Sequence, residues 1–215
     1  MSSYISSINP INWFNYKGNK NNVEFSHGIN VLVGTNNAGK TKLHNAFRFM
    51  ISDTVILKVK EGSDKVFKEV SIGKPEYLIE VFNQSTLNNL SINETSHVGV
   101  ELTFQKVRST ETKTFLLKKG FTIRKADDEK IHIENLIKEV RKIDPFTGGS
   151  RRVSDDFEGV LNSLLPSRLR NFFLVEGEQM GMMTPLFGDG LKSTVKKLTN
   201  IHSIDSTVDI VDNLQ

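Results

Sequence analysis

Apolar and polar residues alternate along several stretches of the chain, as is typical of β-strands with one buried face. The clearest stretch runs from Val98 to Phe104, where every second residue is apolar. We predict half-exposed antiparallel strands there and at Tyr77 to Phe82, Thr114 to Leu117 and Phe121 to Arg124. Two further strands are predicted at Tyr4 to Ile11 and at Val23 to Phe25.

Other stretches repeat their apolar residues at helical spacing. They predict four helices, at residues 43–53, 133–140, 157–164 and 191–198. Ser154 is the predicted N-cap of the third helix, and Pro166 is expected to stop it. Apolar residues at 204, 208 and 211 then step by four and three, which is the spacing at the beginning of a coiled coil.

Two short apolar runs do not alternate and therefore predict buried strands. Ile29 to Val33 is the first, expected to be a parallel strand, and Phe172 to Val175 is the second. The first run leads into Gly34–Thr41, which matches G-x-x-x-x-G-K-[ST], and the predicted helix at 43–53 follows. Strand, glycine loop and helix are the context in which this pattern binds phosphate.

The residue types in this loop suit a triphosphate. Gly34 and Gly39 let the backbone approach the phosphates, and successive amides from Asn36 to Thr41 form an anion-binding nest at a helix N-terminus. Lys40 would reach the β- and γ-phosphates, and the Thr41 hydroxyl would ligate Mg²⁺. The predicted nucleotide-binding residues are Gly34, Asn36, Asn37, Ala38, Gly39, Lys40, Thr41 and Lys42.

Composition narrows the class of protein only slightly. The 215 residues include 14 Phe to fill a core and no Cys, which excludes disulfides and thiolate metal sites. The net charge of +3 is compatible with a nucleic-acid partner without requiring one. Neither a signal peptide nor a membrane-spanning run is evident, so we expect a cytoplasmic protein without a membrane partner.

Basic residues cluster in two parts of the sequence, at Lys113, Lys118, Lys119, Arg124 and Lys125, and at Arg141, Lys142, Arg151, Arg152, Arg168 and Arg170. Such residues could contact the phosphates of double-stranded DNA without reading its sequence. They could equally form a solvated face balanced by neighbouring acids such as Asp127 and Asp128. The sequence leaves both interpretations open.

The chain resembles the amino-terminal head of SMC-type ABC ATPases, the long coiled-coil ATPases of chromosome maintenance, DNA repair and bacterial defence. The resemblance rests on Ile11–Gly18, Val23–Phe25, Gly28–Gly34 with the loop that follows, and a block from Leu164 to Glu178. That block resembles the Q-loop region of the family. The chain is most similar to DndD-type ATPases of DNA-phosphorothioation defence and to SMC-like subunits of anti-phage systems such as Lamassu.

The resemblance implies an α/β fold, that of a P-loop NTPase and ABC ATPase head lobe, with an antiparallel β subregion and a helical segment leading into a coiled coil. Residues 1–215 would form the amino-terminal half of one head. Its parts would be a P-loop core at 1–60, mainly antiparallel strands at 61–126, a helical segment and Q-loop strand at 127–180, and a helical lobe toward the coiled coil at 181–215.

The resemblance also implies roles for residues near the Q-loop. Glu176 stands where break-repair members carry Gln, and it would serve catalysis with Lys40 and bind Mg²⁺ with Thr41. Gln179 is a nearby alternative. A second departure lies at Phe14, where many relatives carry an Arg directed toward the nucleotide.

Paired acids at the end of an apolar strand, which this family uses for hydrolysis, are absent from the sequence. The resemblance implies that a carboxy-terminal head half supplies them, and that two heads dimerise around ATP and Mg²⁺. The expected function is an ATP hydrolase coupled to DNA sensing or handling, associated with the nucleoid and joined by a defence effector or nuclease subunit. The alternative is a nucleotide-gated dimerisation module with little hydrolysis.

Overall fold

The computed structural model describes residues 2–35, 38–108, 111–128, 130–154, 156–167 and 170 of the chain. The chain divides into two compact units, residues 1–165 and residues 166–215, and the elements below belong to the first. In chain order they are β1 (Ser2–Ile11), β2 (Val23–Glu24), α1 (Lys40–Ser52), β3 (Thr54–Glu61), β4 (Asp64–Ser71), α2 (Pro75–Val81), α3 (Gln84–Asn88), β5 (Thr95–Arg108), β6 (Glu111–Lys125), β7 (Ile131–Ile143), β8 (Ser150–Ser154) and α4 (Phe157–Leu164).

A six-stranded sheet in the order β2-β1-β5-β6-β7-β8 forms the centre of this unit. Every strand pair within the described residues is antiparallel. The alternating residues of β5 explain its position, because Val98, Val100, Leu102 and Phe104 all lie buried on one face. The predicted strands at the start of the chain and at Val98 to Phe104 are therefore confirmed.

Helix α1 packs against this buried face and completes the core. The ring of Phe49 in α1 stacks between the rings of Trp13 and Phe121, whose centroids lie 5.2 and 6.0 Å from its own. Trp13 is fully buried, as expected for a core aromatic. The predicted helix up to about Asp53 is confirmed, since α1 ends at Ser52 and Asp53 is its C-cap.

Strand β6 is longer than predicted. The two expected strands at 114–117 and 121–124 are parts of one strand that passes through Gly120. Gly120 lies directly opposite Gly99 of β5, and a side chain on either would run into the backbone of the neighbouring strand. The two glycines therefore allow a continuous ladder where the sequence suggested a break.

The predicted helix at 133–140 is wrong, because these residues belong to β7. A register shift in the β6–β7 pair leaves Glu134 as an extra residue, so that Ile133 pairs with Ile123 and Leu136 pairs with Phe121. Apolar residues three apart thus share one face of a strand, which imitates helical spacing. Gly148 and Gly149 favour a loop in this part of the sequence, and the strand β8 begins directly after them, at Ser150.

The predicted strand at 77–82 is also wrong, because residues 75–81 form α2. Pro75 occupies the first turn, where its fixed φ suits a helix, and Glu76 adds an acid near the helix N-terminus. Leu78 and Val81 are buried one turn apart. The helix α4 is confirmed, but its N-cap is Asp156, which accepts a bond from the Gly159 amide at 2.8 Å, and not Ser154.

The predicted buried strand at Ile29 to Val33 is wrong as well. These residues lie outside any strand, with Ile29 94% and Val33 90% exposed. A buried parallel strand needs neighbours on both sides, and the described residues provide none for this segment. The predicted strand at 172–175, the helix at 191–198 and the coiled-coil start lie outside the described residues.

Candidate functional site

The N-terminus of α1 is the centre of the candidate site. Gly39 is the N-cap, with φ 100° and ψ 2°, and none of the described side chains caps the helix. The first turn holds Lys40, Thr41 and Lys42 and no acid. Backbone amides without internal acceptors, together with these cations, give this helix end a positive potential.

Glycine is strongly favoured at position 39. A Cβ there would lie 3.0 Å from both the Asn15 Nδ2 and the Tyr16 hydroxyl. The positive φ would also strain any other residue. The second glycine of the loop is therefore favoured both by the local packing and by the turn into α1.

The Lys40 side chain folds back over the loop that precedes it. Its Nζ donates to the carbonyl oxygens of Gly34 at 2.6 Å and Thr35 at 2.9 Å. The Ala38 amide donates to the same Thr35 carbonyl at 3.2 Å. These bonds bring the Lys40 side chain and the Ala38 amide back to the carbonyls of Gly34 and Thr35.

The segment after β1 holds the start of α1 in place. Trp13 Nε1 donates to the carbonyl of Lys42 at 3.0 Å, and the Tyr16 hydroxyl donates to the carbonyl of Gly39 at 3.3 Å. Burial raises the pKa of the Tyr16 phenol above its ordinary value, so it stays a donor at neutral pH. These contacts fix the position of the helix N-terminus relative to the sheet.

Asn12 and Lys17, polar residues of the same segment, contact other parts of the chain. Asn12 is buried, accepts from the Gly18 amide at 2.9 Å and donates to the His97 carbonyl at 2.8 Å. Lys17 donates to the Ser85 hydroxyl at 3.4 Å. Asn12 is therefore a structural residue.

A cavity of about 610 Å³ opens beside the N-terminus of α1. Thr41 and Phe14 line it, and Lys42 holds its ammonium 5.4 Å from the centre of the Phe14 ring. Glu80 also lines it. Sequence reasoning missed this cavity, although an aromatic residue and a lysine at the loop were both visible as separate features.

The residues at this helix end fit a magnesium–triphosphate group. Magnesium takes one or two protein oxygens beside phosphate oxygens and waters, and Thr41 offers an exposed hydroxyl. Among the described residues no group of three or more His, Cys, Asp or Glu could hold a metal ion. Asn36, Asn37, Glu176 and Gln179 lie outside the described residues, so their predicted roles stay predictions.

Four residues of the predicted DNA-contacting cluster have acidic partners within the chain, and one of them is Lys113, which lies 3.4 Å from Glu111. Lys119 is buried, with its ammonium 2.7 Å from Asp53 Oδ1 and 5.2 Å from the centre of the Phe49 ring. Desolvation is the main cause that lowers the pKa of Lys119, against the opposing effect of Asp53. Lys118 and Arg124 are each in an ion pair, with Glu101 and Glu134 respectively.

Basic residues also meet where β7 and β8 pair. Lys142 lies opposite Arg151, and Arg141 lies opposite Arg152. Arg141 is paired with Glu139 at 2.9 Å. Positive residues directly opposite one another on neighbouring strands repel, and Glu139 offsets this repulsion at Arg141.

The described fold is a mixed α/β unit with a mostly antiparallel sheet, and a glycine loop leads into its first helix. The family described as the AAA domain matches residues 7–207. The chain belongs to the AAA domain family. No helix among the described residues is long and apolar enough to cross a membrane.

The comparisons with individual proteins give no assignment finer than the family. No curated protein matches the chain significantly. One solved structure, from work on the structural biochemistry of ATP-driven dimerization and DNA-stimulated activation of SMC ATPases, is 14% identical with a TM-score of 0.43. The match covers 89% of this chain and 99% of that one. At these values it supports no argument about this chain.

Proposed function

We propose that the chain is the ATP-binding head lobe of an SMC-like ATPase. ATP with Mg²⁺ binds at the N-terminus of α1, and two heads dimerise around the nucleotide. Hydrolysis is coupled to DNA sensing or handling in bacterial genome maintenance or anti-phage defence, of the DndD or Lamassu kind.

One observation carries this proposal: a glycine-capped helix start with Lys40 at its mouth. The φ of Gly39 and the lack of a capping side chain among the described residues leave the amides of the first turn directed at the loop. The Lys40 ammonium lies on the same side, held by the carbonyls of Gly34 and Thr35. Amides, ammonium and the Thr41 hydroxyl together suit a metal-bound polyphosphate.

Each residue would then have a defined task. The amides from 38 to 41 bind the phosphates, Lys40 neutralises charge on the outer phosphates, and Thr41 supplies one oxygen to Mg²⁺. The metal, when bound, withdraws charge from the phosphate oxygens. Glu176, or Gln179 in its place, would orient the attacking water.

The exposed apolar residues of the segment from Ile29 to Val33 support a protein partner that covers them. Four of these five residues are apolar and exposed beside the loop, and the run has the composition of a buried strand. We assign the covering strands to the carboxy-terminal head half, which would also bring the hydrolytic carboxylates. A second identical head would close the nucleotide site.

Double-stranded DNA would lie at the β7–β8 end of the sheet. Lys142 and Arg151 lie opposite each other on one face of the sheet. Arg141 lies opposite Arg152 on the other face and is paired with Glu139, so we place the duplex on the face of Lys142 and Arg151. Phosphate contacts of this kind bind any sequence and weaken with salt. A defence effector or nuclease subunit would respond to the DNA-bound state.

The alternative function is a nucleotide-gated dimerisation module with little hydrolysis. It is favoured by Glu176, whose charge would repel the outer phosphate where relatives carry a neutral Gln. Both functions need ATP binding. They differ in turnover alone.

The test is ATP binding and turnover by the full-length protein. A Lys40→Ala variant should bind a fluorescent ATP analogue with Mg²⁺ at least tenfold more weakly, while Lys74→Ala, an exposed lysine away from the loop, should bind normally. Unchanged affinity in Lys40→Ala would overturn the proposal. ATP-dependent dimerisation with phosphate release no faster than in Lys40→Ala would favour the alternative.

A further inference from the structure

The hairpin of β3 and β4 is a feature that the sequence did not predict. Its strands form a separate two-stranded sheet that turns at Gly62, directly after the helix that begins at the loop. Most of β4 is exposed. The outer half of the hairpin therefore presents two faces to solvent.

The charges of the hairpin are sorted by face. Residues directly opposite each other share a face, so the register places Lys58 with Phe67 and Lys60 with Lys65 on one face. The other face carries Glu61 opposite Asp64. We call the first of these the lysine face.

None of the three lysines on the lysine face is in an ion pair within the described part of the chain. The acid nearest the base of this face, Glu69, is already bound by Arg48 at 3.0 Å and by the Thr54 hydroxyl at 2.6 Å. On the opposite face, by contrast, Lys68 is paired with Glu61 at 2.6 Å. Positive charge thus remains uncompensated on one side only.

An exposed aromatic ring lies among these lysines. Phe67 is 72% exposed, and the Lys58 ammonium lies 5.7 Å from its centre. Exposing a phenyl ring to water costs free energy. Proteins that bind single strands place such a ring among cations, so that an unpaired base stacks on the ring while lysines contact the phosphates. A duplex offers no free base face to such a ring.

We infer that the lysine face of the β3–β4 hairpin binds single-stranded nucleic acid, with a base stacked on Phe67 and phosphates on Lys58, Lys60 and Lys65. The site is separate from the duplex contacts proposed at β7 and β8. Lys58 and Phe67 also line the cavity beside the N-terminus of α1. Binding is therefore measured without nucleotide, so that failure of this inference and failure of the proposed function can be told apart.

The experiment measures binding of a fluorescent oligo-dT to the full-length protein without nucleotide, across a salt series. Phe67→Ala should weaken binding about tenfold, since a stacked base is lost. Lys60→Gln/Lys65→Gln should lower the slope of log affinity against log salt by about 1.4, at about 0.7 per lysine on a single strand. The matched control Lys20→Gln/Lys74→Gln, with the same charge change on exposed lysines elsewhere, should behave as wild type.

A Phe67→Trp variant gives a readout that a merely structural role would not move. Its new indole should bind oligo-dT as tightly as wild type and lose fluorescence as the base stacks, while the buried Trp13 gives a constant background. Normal binding by Phe67→Ala, or equal losses in the control pair, would overturn the inference. So would a loss of ATP binding in place of oligo-dT binding, or poly-glutamate binding with the same dependence on Phe67.

Discussion

The ammonium of Lys119, a buried residue of β6, lies 2.7 Å from a carboxylate oxygen of Asp53, the C-cap of α1. The same ammonium donates to the carbonyl of Met50 at 3.2 Å. Lys138 approaches the other carboxylate oxygen of Asp53 at 3.5 Å and Glu158 of α4 at 3.8 Å. A chain of charges thus links the end of α1 to β6, β7 and α4.

We predict that the two ends of the Lys119–Asp53 pair respond differently to mutation. Asp53→Asn keeps the left-handed backbone but leaves a buried ammonium without its carboxylate, and it should cost about 2–4 kcal/mol of unfolding free energy. Lys119→Met fills the same space with apolar atoms and leaves a half-exposed carboxylate in water, so it should cost about 1 kcal/mol or less. Urea unfolding of both variants checks the order, and a larger loss in Lys119→Met would contradict it.

The pH dependence of stability should also report on Lys119. Because burial lowers its pKa in the folded state, the unfolded chain binds more protons at alkaline pH just below the ordinary lysine value. The unfolding free energy of wild type relative to Lys119→Met should therefore rise as pH increases through that window. Urea unfolding of both proteins in parallel from neutral pH to about pH 10 cancels the contributions of other groups, and a flat or falling difference would argue against a buried cation.

Gly39→Ala should lose both stability and nucleotide binding. The positive φ and the contacts with Asn15 and Tyr16 should cost about 1–3 kcal/mol. Gly62→Ala is the matched control, because that glycine also has a positive φ but has open space around it. It should lose about 1 kcal/mol and bind the ATP analogue normally in the same titration.

The proposed duplex site at β7 and β8 predicts a change in salt dependence. Lys142→Gln/Arg151→Gln should reduce the slope of log affinity against log salt for double-stranded DNA by about 1.8, since each contact on a duplex contributes about 0.9. Anisotropy titrations at several salt concentrations measure the slope. The control variant Lys20→Gln/Lys74→Gln should leave the slope unchanged. A wild-type slope in Lys142→Gln/Arg151→Gln would show that duplex DNA does not bind at this end of the sheet.

Neutralising the opposed lysines of the hairpin should stabilise the protein slightly. Lys60 and Lys65 face each other directly, and relief of their repulsion in the double Gln variant should raise Tm by about 1–2 °C. Thermal unfolding followed by circular dichroism tests this. A fall in Tm would mean that these lysines serve the fold and not a ligand.

The spacing of apolar residues correctly predicted those helices and strands in which it follows a single repeat from end to end. The helix after the loop and the strand around Val100 followed their apolar spacing directly. Strand β7 did not, because the extra residue Glu134 shifts the alternation and only the partner strand shows which residues share a face. The prediction for residues 75–81 was wrong for another reason. Apolar and polar residues alternate there as in a strand, and this alternation outweighed the signal from Pro75, which favours the first turn of a helix.

The candidate site was predictable in its chemistry and less so in its surroundings. The loop pattern indicates Gly39, Lys40 and Thr41 without any tertiary information. Nothing in the sequence indicates that Trp13 and Tyr16 hold the carbonyls at the start of α1, because those contacts depend on a turn after β1. Burial of Lys119 was likewise invisible, since its carboxylate partner lies far away along the chain.

The two carbonyls that hold Lys40 have a consequence for how a ligand enters. The ammonium already has acceptors in Gly34 and Thr35, so an arriving phosphate exchanges neutral oxygens for charged ones. The contribution of Lys40 to the free energy of binding is then the difference between its interaction with phosphate and its hydrogen bonds to the two carbonyls. Binding therefore releases the carbonyls of Gly34 and Thr35 from the ammonium that holds them in the free protein.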